Sequence, residues 1–197
     1  MIDFGAVREK RQGLAGLATG FSKRDLANAT RAITADIERR IRDARDEDVT
    51  FVPVDPAARD EFATDSSAVG LAWTLGHVVV HLTASAEETS FLAAELARGV
   101  PAHGRSRHEV PWQTVTTIDA CRARLRESER MILATLDSWP EEPHLDVLYV
   151  PASGTPRNAV ARFLGGLMHA DSHLDQLSEI VRQARDARTA ASSTARS

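Results

Sequence analysis

The sequence predicts an all-α chain, a bundle of four long helices with long connections. Three observations carry that expectation. Four segments place apolar residues at helical spacing. Period-two alternation is almost absent. Capping residues and Gly/Pro stop signals bracket the periodic segments.

The first helix is predicted from about Asp25 to Arg45. Ser22 caps it with Asp25 three residues on, in the manner of a capping box, and Leu26, Ile33, Ile37 and Ile41 form its stripe. Residues 46–70 are a long connection containing Pro53 and Pro56, in which 49–54 is the best short-strand candidate. A loop of that length is expected to cross the bundle or wall a pocket. The second helix runs from about Trp73 to Arg98 and is stopped by Gly99 and Pro101. The third starts after Thr116–Thr117 and reaches Trp139, with a seam of Ile118, Cys121, Leu125, Ser128, Ile132, Thr135 and Trp139. A turn-rich stretch follows, with Ser153-Gly154-Thr155-Pro156 and a second short-strand candidate at 145–151. The fourth helix is expected from about Asn158 to Asp186. Residues 1–21 read as an N-terminal extension with only weak helical character, and 187–197 as a small, polar, disordered tail.

Composition narrows the functional classes. The chain of 197 residues is 43% apolar and 26% charged, which is globular and fits one domain. Twenty-eight acids against 24 bases give a net charge of −4, the wrong sign for nucleic-acid binding by bulk charge. No stretch is long and apolar enough to span a membrane, and Asp3, Arg8, Glu9 and Lys10 stand where a signal peptide needs apolar residues. A soluble cytoplasmic protein is the expectation. Cys121 is the only cysteine, so internal disulfides and cysteine-based zinc clusters are excluded. On its seam it reads as a core residue. No P-loop, dinucleotide fingerprint, Gly-x-Ser-x-Gly elbow or His-Glu-x-x-His occurs.

The histidines are the chemistry that stands out. His77 and His81 on the second helix, and His169 and His173 on the fourth, are i, i+4 pairs holding four of the seven histidines. That spacing puts two rings on one helix face, about 5–6 Å apart at Cβ, where they can share a metal ion. It also serves ordinary surface or core histidines. Trp73, Ala84 and Phe91 flank His77 on one side, with His81 and Glu88 on the other. The opposite side of the helix is apolar, so the second helix is nearly apolar all round and is expected to bury most of its circumference. Glu88 is a candidate partner that fixes an imidazole tautomer, or simply a solvated glutamate. Arg162, Gln176 and Ile180 share the stripe of His169 and His173. Mid-helix Gly165-Gly166 costs about 1 kcal/mol per residue against alanine, which asks for close helix approach or ligand space. His103, His108 and His144 read as surface residues.

The segments Trp73-Thr74-Leu75-Gly76-His77-Val78-Val79-Val80-His81-Leu82 and His169-Ala170-Asp171-Ser172-His173-Leu174-Asp175-Gln176 resemble the DinB/YfiT-like superfamily. The likeness covers about residues 22–186, and its specific part lies in these two segments. It implies a four-helix bundle and one divalent metal ion, zinc or nickel first, held by His81, His169 and His173. His77 and Gln176 then fall to the pocket wall or to supporting positions. Related enzymes include mycothiol-dependent maleylpyruvate isomerase, in which Glu replaces the first histidine of the last helix, and bacillithiol or mycothiol S-transferases. Keeping His169 places this chain with the all-histidine branch. The resemblance implies a metal-dependent transferase of the low-molecular-weight-thiol type, or a hydrolase, acting on a small molecule. Glu88, His77 and Arg162 are the candidate catalytic groups, Arg162 as a carboxylate holder. The alternative is a non-catalytic, stress-associated metal-binding protein. A homodimer is also expected, from the apolar circumference of the second helix.

Overall fold

In a computed structural model, which describes residues 2–60, 69–152 and 154–194, the fold is all-helical and no β-strand occurs among the described residues. Residues 61–68 of the first long connection, Ser153 of the turn and 195–197 of the tail lie outside them.

The first long helix, α3 (Lys23–Arg40), follows two short ones, α1 (Gly5–Arg8) and α2 (Leu14–Leu17). Its capping box is formed as read: Ser22 Oγ accepts from the Asp25 N–H at 3.2 Å, and the Asp25 carboxylate accepts from the Ser22 N–H at 2.9 Å. It ends at Arg40 rather than Arg45, because Asp46-Glu47-Asp48 start a separate turn, α4 (Asp46–Val49). There the Asp48 carboxylate takes the Arg45 N–H at 2.8 Å. The expected strand at 49–54 is therefore absent. Val49 is buried in the core, whereas Val52 and Val54 are exposed. The Val54 backbone pairs instead with the side-chain amide of Gln183. The second strand candidate reduces to one antiparallel bridge between Tyr149 and Arg157.

Helix α5 (Leu75–Ala97) is capped by Thr74, whose hydroxyl accepts from the His77 N–H. It ends in a Schellman turn, with Gly99 at φ 84° and the Val100 N–H donating to the Glu95 carbonyl. In α6 (Ile118–Asp137) every residue of the predicted seam, and Trp139 beyond it, is buried.

The predicted fourth helix is two helices, α7 (Ala159–Ser172) and α8 (Leu174–Thr194), broken at His173. The His173 N–H turns to the Ala170 carbonyl three residues back, and the Ser172 hydroxyl takes the His169 carbonyl at 2.6 Å. Both substitute a tighter, side-chain-assisted turn for the regular ladder. Helix α8 also runs past Asp186 to Thr194, where a disordered tail was expected. Arg188 is held there by ion pairs with Asp48 and Glu47. At the other end, Phe4, Leu14 and Ala18 enter the core, so the N-terminal extension is a packed part of the same structure.

The long segments pack in the cyclic order α3, α6, α5, then α7–α8, which closes on α3. Apart from a few positions such as Phe91, the circumference of α5 is covered within one chain, so its burial requires no second copy. Two glycines explain how tightly it is held. A Cβ on Gly166 would stand 2.9 Å from the Thr89 Cβ, and one on Gly76 would stand 2.5 Å from the Val115 carbonyl oxygen. Gly166, of the pair Gly165-Gly166, thus marks close helix approach. At Gly165 the nearest atom is the movable end of Arg157 at 3.2 Å. Gly76→Ala is expected to lose about 1–3 kcal/mol through overpacking and to lower Tm in thermal circular dichroism. Gly165→Ala is expected to hold Tm or raise it, since helix propensity favours alanine by about 1 kcal/mol.

Candidate metal centre

Helix α5 carries His77 and His81 one turn apart, α7 carries His169, and the α7–α8 break carries His173. One ligand nitrogen from each of His81, His169 and His173 lies within 4.8 Å of the others. His77 is not among them. The His81 and His169 Nε2 atoms face one another at 2.9 Å, and the His173 ring stands edge-on to both, with centroids 5.3 and 4.7 Å away.

The outer nitrogens fix which lone pairs point inward. His81 Nδ1 lies 2.9 Å from the Glu109 carboxylate, which only accepts, so Nδ1 carries the proton and Nε2 the free lone pair. His173 Nδ1 lies 2.7 Å from Gln176 Oε1, with the same consequence. Two such nitrogens at 2.9 Å need a proton or a cation between them. Donors about 2.1 Å from one ion stand about 3.0 Å apart at the right angle of an octahedral site and about 3.4 Å apart at a tetrahedral one, so the residues present fit a divalent ion with a shift of a few tenths of an ångström at most for this pair.

The electrostatics agree. Burial first, then the neighbouring His173 and His81, pushes His169 down to about 3. Burial also lowers His173, against the hydrogen bond that its Nδ1–H donates to Gln176. Both imidazoles are neutral at physiological pH, the form that binds metal. At Glu109 burial acts to raise the pKa, but the His81 hydrogen bond and the nearby His81, His77 and Arg105 outweigh it. Its carboxylate stays ionised.

Tryptophans form the wall. The Trp73 ring lies 4.5 Å from His77, 4.6 Å from His81 and 6.0 Å from His173, and Trp112 stacks on the other face of His77 at 4.6 Å. His77 is thus sandwiched between two indoles. Its Nδ1 is buried with no partner among the described residues, and burial brings its pKa to about 4.

Two candidates lie elsewhere. Glu88 does not support a histidine. It lies two turns beyond His81, and its carboxylate accepts from Arg105 Nε at 2.7 Å, from Ser106 N–H and Oγ, and from the Arg107 N–H. Burial acts to raise its pKa, yet these donors hold it at about 2, too acidic for a general base. Arg162 is buried against the Tyr149 ring, 3.9 Å from its centroid. Cys121 is core, its thiol pushed by burial to about 12. His103, His108 and His144 are exposed. Glu109 and Trp112 are the functional residues that sequence reasoning missed. Both sit in the aperiodic 98–117 connection, and no local spacing ties them to His81 or His77.

The depressed histidines set a pH dependence. Unfolded, His77 and His169 titrate near 6.5; folded, at about 4 and about 3. Between these values the unfolded chain binds more protons, so this stability is complete above about pH 6.5 and drains away as pH falls. Thermal melts of metal-stripped protein are expected to show Tm falling between about pH 6.5 and 5, before most carboxylates protonate. A His77→Asn variant is expected to show a shallower fall.

A family model of the DinB superfamily matches residues 18–177, a span that takes in α3 through the first residues of α8 and all three converging histidines. No curated protein and no solved structure gives a significant match to the chain. The matched span covers most of the sequence, and the chain belongs to the DinB superfamily.

Proposed function

We propose that this chain is a divalent-metal-dependent enzyme acting on a small molecule, most simply a transferase that uses a low-molecular-weight thiol, with hydrolysis as the second chemistry. In this reading His81, His169 and His173 hold one ion, zinc or nickel. The reading takes the fold as a four-helix bundle whose fourth member is the α7–α8 pair, which the cyclic packing order supports.

The observation that carries the proposal is the pair of Nε2 atoms facing at 2.9 Å, with the far nitrogen of His81 anchored on Glu109 and that of His173 on Gln176. Three neutral imidazoles leave the charge of a divalent ion uncompensated and coordination positions open, which acidifies a thiol or a water that joins it. Glu109 and Gln176 hold their rings in one tautomer and one orientation. Trp73 shields one side of the site from water, and His77 holds that indole in place by stacking. Donors and supports all come from one chain, so a second copy is not needed to complete the site. The competing reading, a non-catalytic metal-binding protein, calls for a closed site. The His81 side chain keeps 24% of its exposure, which favours an open one.

Elemental analysis of the purified protein tests the proposal. About one divalent ion per chain is expected in the wild type and in His77→Ala, and none in His81→Ala or His173→Ala. Glu109→Gln is expected to weaken metal affinity about 10–100-fold. At a free-metal concentration of a hundred times Kd, the ion should add about 2.7 kcal/mol of stability. Full metal content in both His81→Ala and His173→Ala would overturn the assignment. Consumption of a free thiol or an ester, measured with metal-loaded and metal-stripped protein, separates the two chemistries from the non-catalytic reading.

A further inference from the structure

Helix α7 stands between two sides of the bundle, with α5 and the histidine site on one and α3 on the other. On the α3 side, Asp25, Asn28, Ala29, Ala32, Ile33 and Asp36 line one cavity of about 320 Å³. Their spacing makes them a single helical stripe. The cavity is therefore a slot that follows α3 for three turns, about 16 Å. Phe4 and Phe21 of the N-terminal segment close its other side, and Asp171 of α7 completes the lining. None of the three converging histidines lines it.

Asp171 stands at the Asp36 end. Arg40 ties those two turns together, its Nε 3.5 Å from Asp36 Oδ1 and its Nη1 donating to the Leu174 carbonyl at 3.1 Å, three residues from Asp171. The slot is thus apolar along its middle and acidic at both ends, and no basic side chain lines it.

Each of the three carboxylates engages one oxygen and leaves the other without a hydrogen bond among the described residues. Asp25 Oδ2 accepts from the Ser22 N–H and hydroxyl. Asp36 Oδ1 accepts from Arg39, and Asp171 Oδ2 pairs with Arg8. Asp36 is the most telling, because its side chain is only 9% exposed. A carboxylate oxygen can only accept, and one held so far from water without a donor is unfavourable. Its Oδ2 is not fully enclosed, and the open space that Asp36 lines is the slot. Arg8 and Arg39 are 47% and 57% exposed, so their charges stand on the solvent side and the slot side stays negative.

We propose that this slot binds an unbranched α,ω-diamine. One ammonium lies between Asp36 and Asp171, the other lies at Asp25, and the methylene chain runs along Ala29, Ala32 and Ile33. An ammonium brings three donors and no acceptor, which suits a wall of free acceptors, and the apolar middle takes the methylenes. The length follows from the helix. Carboxylates about 16 Å apart, with an ammonium contact of about 2.8 Å at each end, leave about 11 Å between the nitrogens, the reach of about eight methylenes. The site does not depend on the proposed enzymatic function.

Calorimetric titration of metal-loaded and metal-stripped protein tests this with octane-α,ω-diamine, butane-α,ω-diamine, octylamine and octanoate. One octane diamine per chain is expected to bind, at least about tenfold tighter than butane diamine or octylamine, with the same affinity in both forms of the protein. Octanoate is expected not to bind. Asp25→Asn should bring octane diamine down to the affinity of octylamine and leave octylamine unchanged. Ala32→Leu keeps every charge but fills the slot, and should weaken both amines at least about tenfold with Tm maintained. Absence of saturable diamine binding by the wild type would overturn the proposal, as would equal affinities for diamine and octylamine. So would a diamine affinity that survives in folded Ala32→Leu. Binding seen only with metal present would also overturn it, since the amine would then sit at the three histidines.

Discussion

The close approach of α5 to α7 is the constraint on which the site depends. Gly166 lets the Thr89 side chain sit where a Cβ would otherwise stand, and eight residues before Thr89 on the same helix comes His81. Without that approach, the Nε2 atoms of His81 and His169 would not meet at 2.9 Å. The cost of Gly166 inside a helix is the local penalty for a long-range geometry. Gly76 does the same at the start of α5, where the Val115 carbonyl occupies the space of a side chain. The histidine-bearing helix is thus clamped at both ends of its functional stretch.

Burial and charge then act in opposite directions on two kinds of group. The imidazoles of His169 and His173 are driven to their neutral, lone-pair-bearing form by loss of water, while Glu109 is kept ionised chiefly by its hydrogen bond with His81. A carboxylate against the outer nitrogen of one ligand and an amide against that of another make the donor set directional. The indoles of Trp73 and Trp112 supply the low-dielectric wall in which these preferences persist.

Much of this was legible in the sequence because it is local. The capping box at Ser22, the α6 seam and the Gly99 stop depend on residues a few positions apart, and each forms as read. The two His-x-x-x-His segments, through spacing and family likeness, pointed to the three residues that converge. What failed was non-local or a competition between local options. The break at His173 comes from Ser172 bonding back to the His169 carbonyl, which periodicity does not register. The strand at 49–54 lost to an acidic turn and to the Gln183 amide. The helical tail is held by Arg188 reaching Asp48, 140 residues away in sequence. Glu109 could not be separated from the other carboxylates by pattern, and Glu88, with better spacing, faces residues 105–107 of the same connection instead of a histidine.

That loop has an architectural consequence. The connection between α5 and α6 is fastened to α5 at four places, at Glu95 through His103, at Glu88 through residues 105–107, at His81 through Glu109 and at His77 through Trp112. It forms an arch whose feet all stand on one helix, while the converging rings of His169 and His173 belong to the far bank. Residues between those feet touch neither bank through these bonds, so the arch leaves its crown free to vary in sequence while its feet keep their hold on α5.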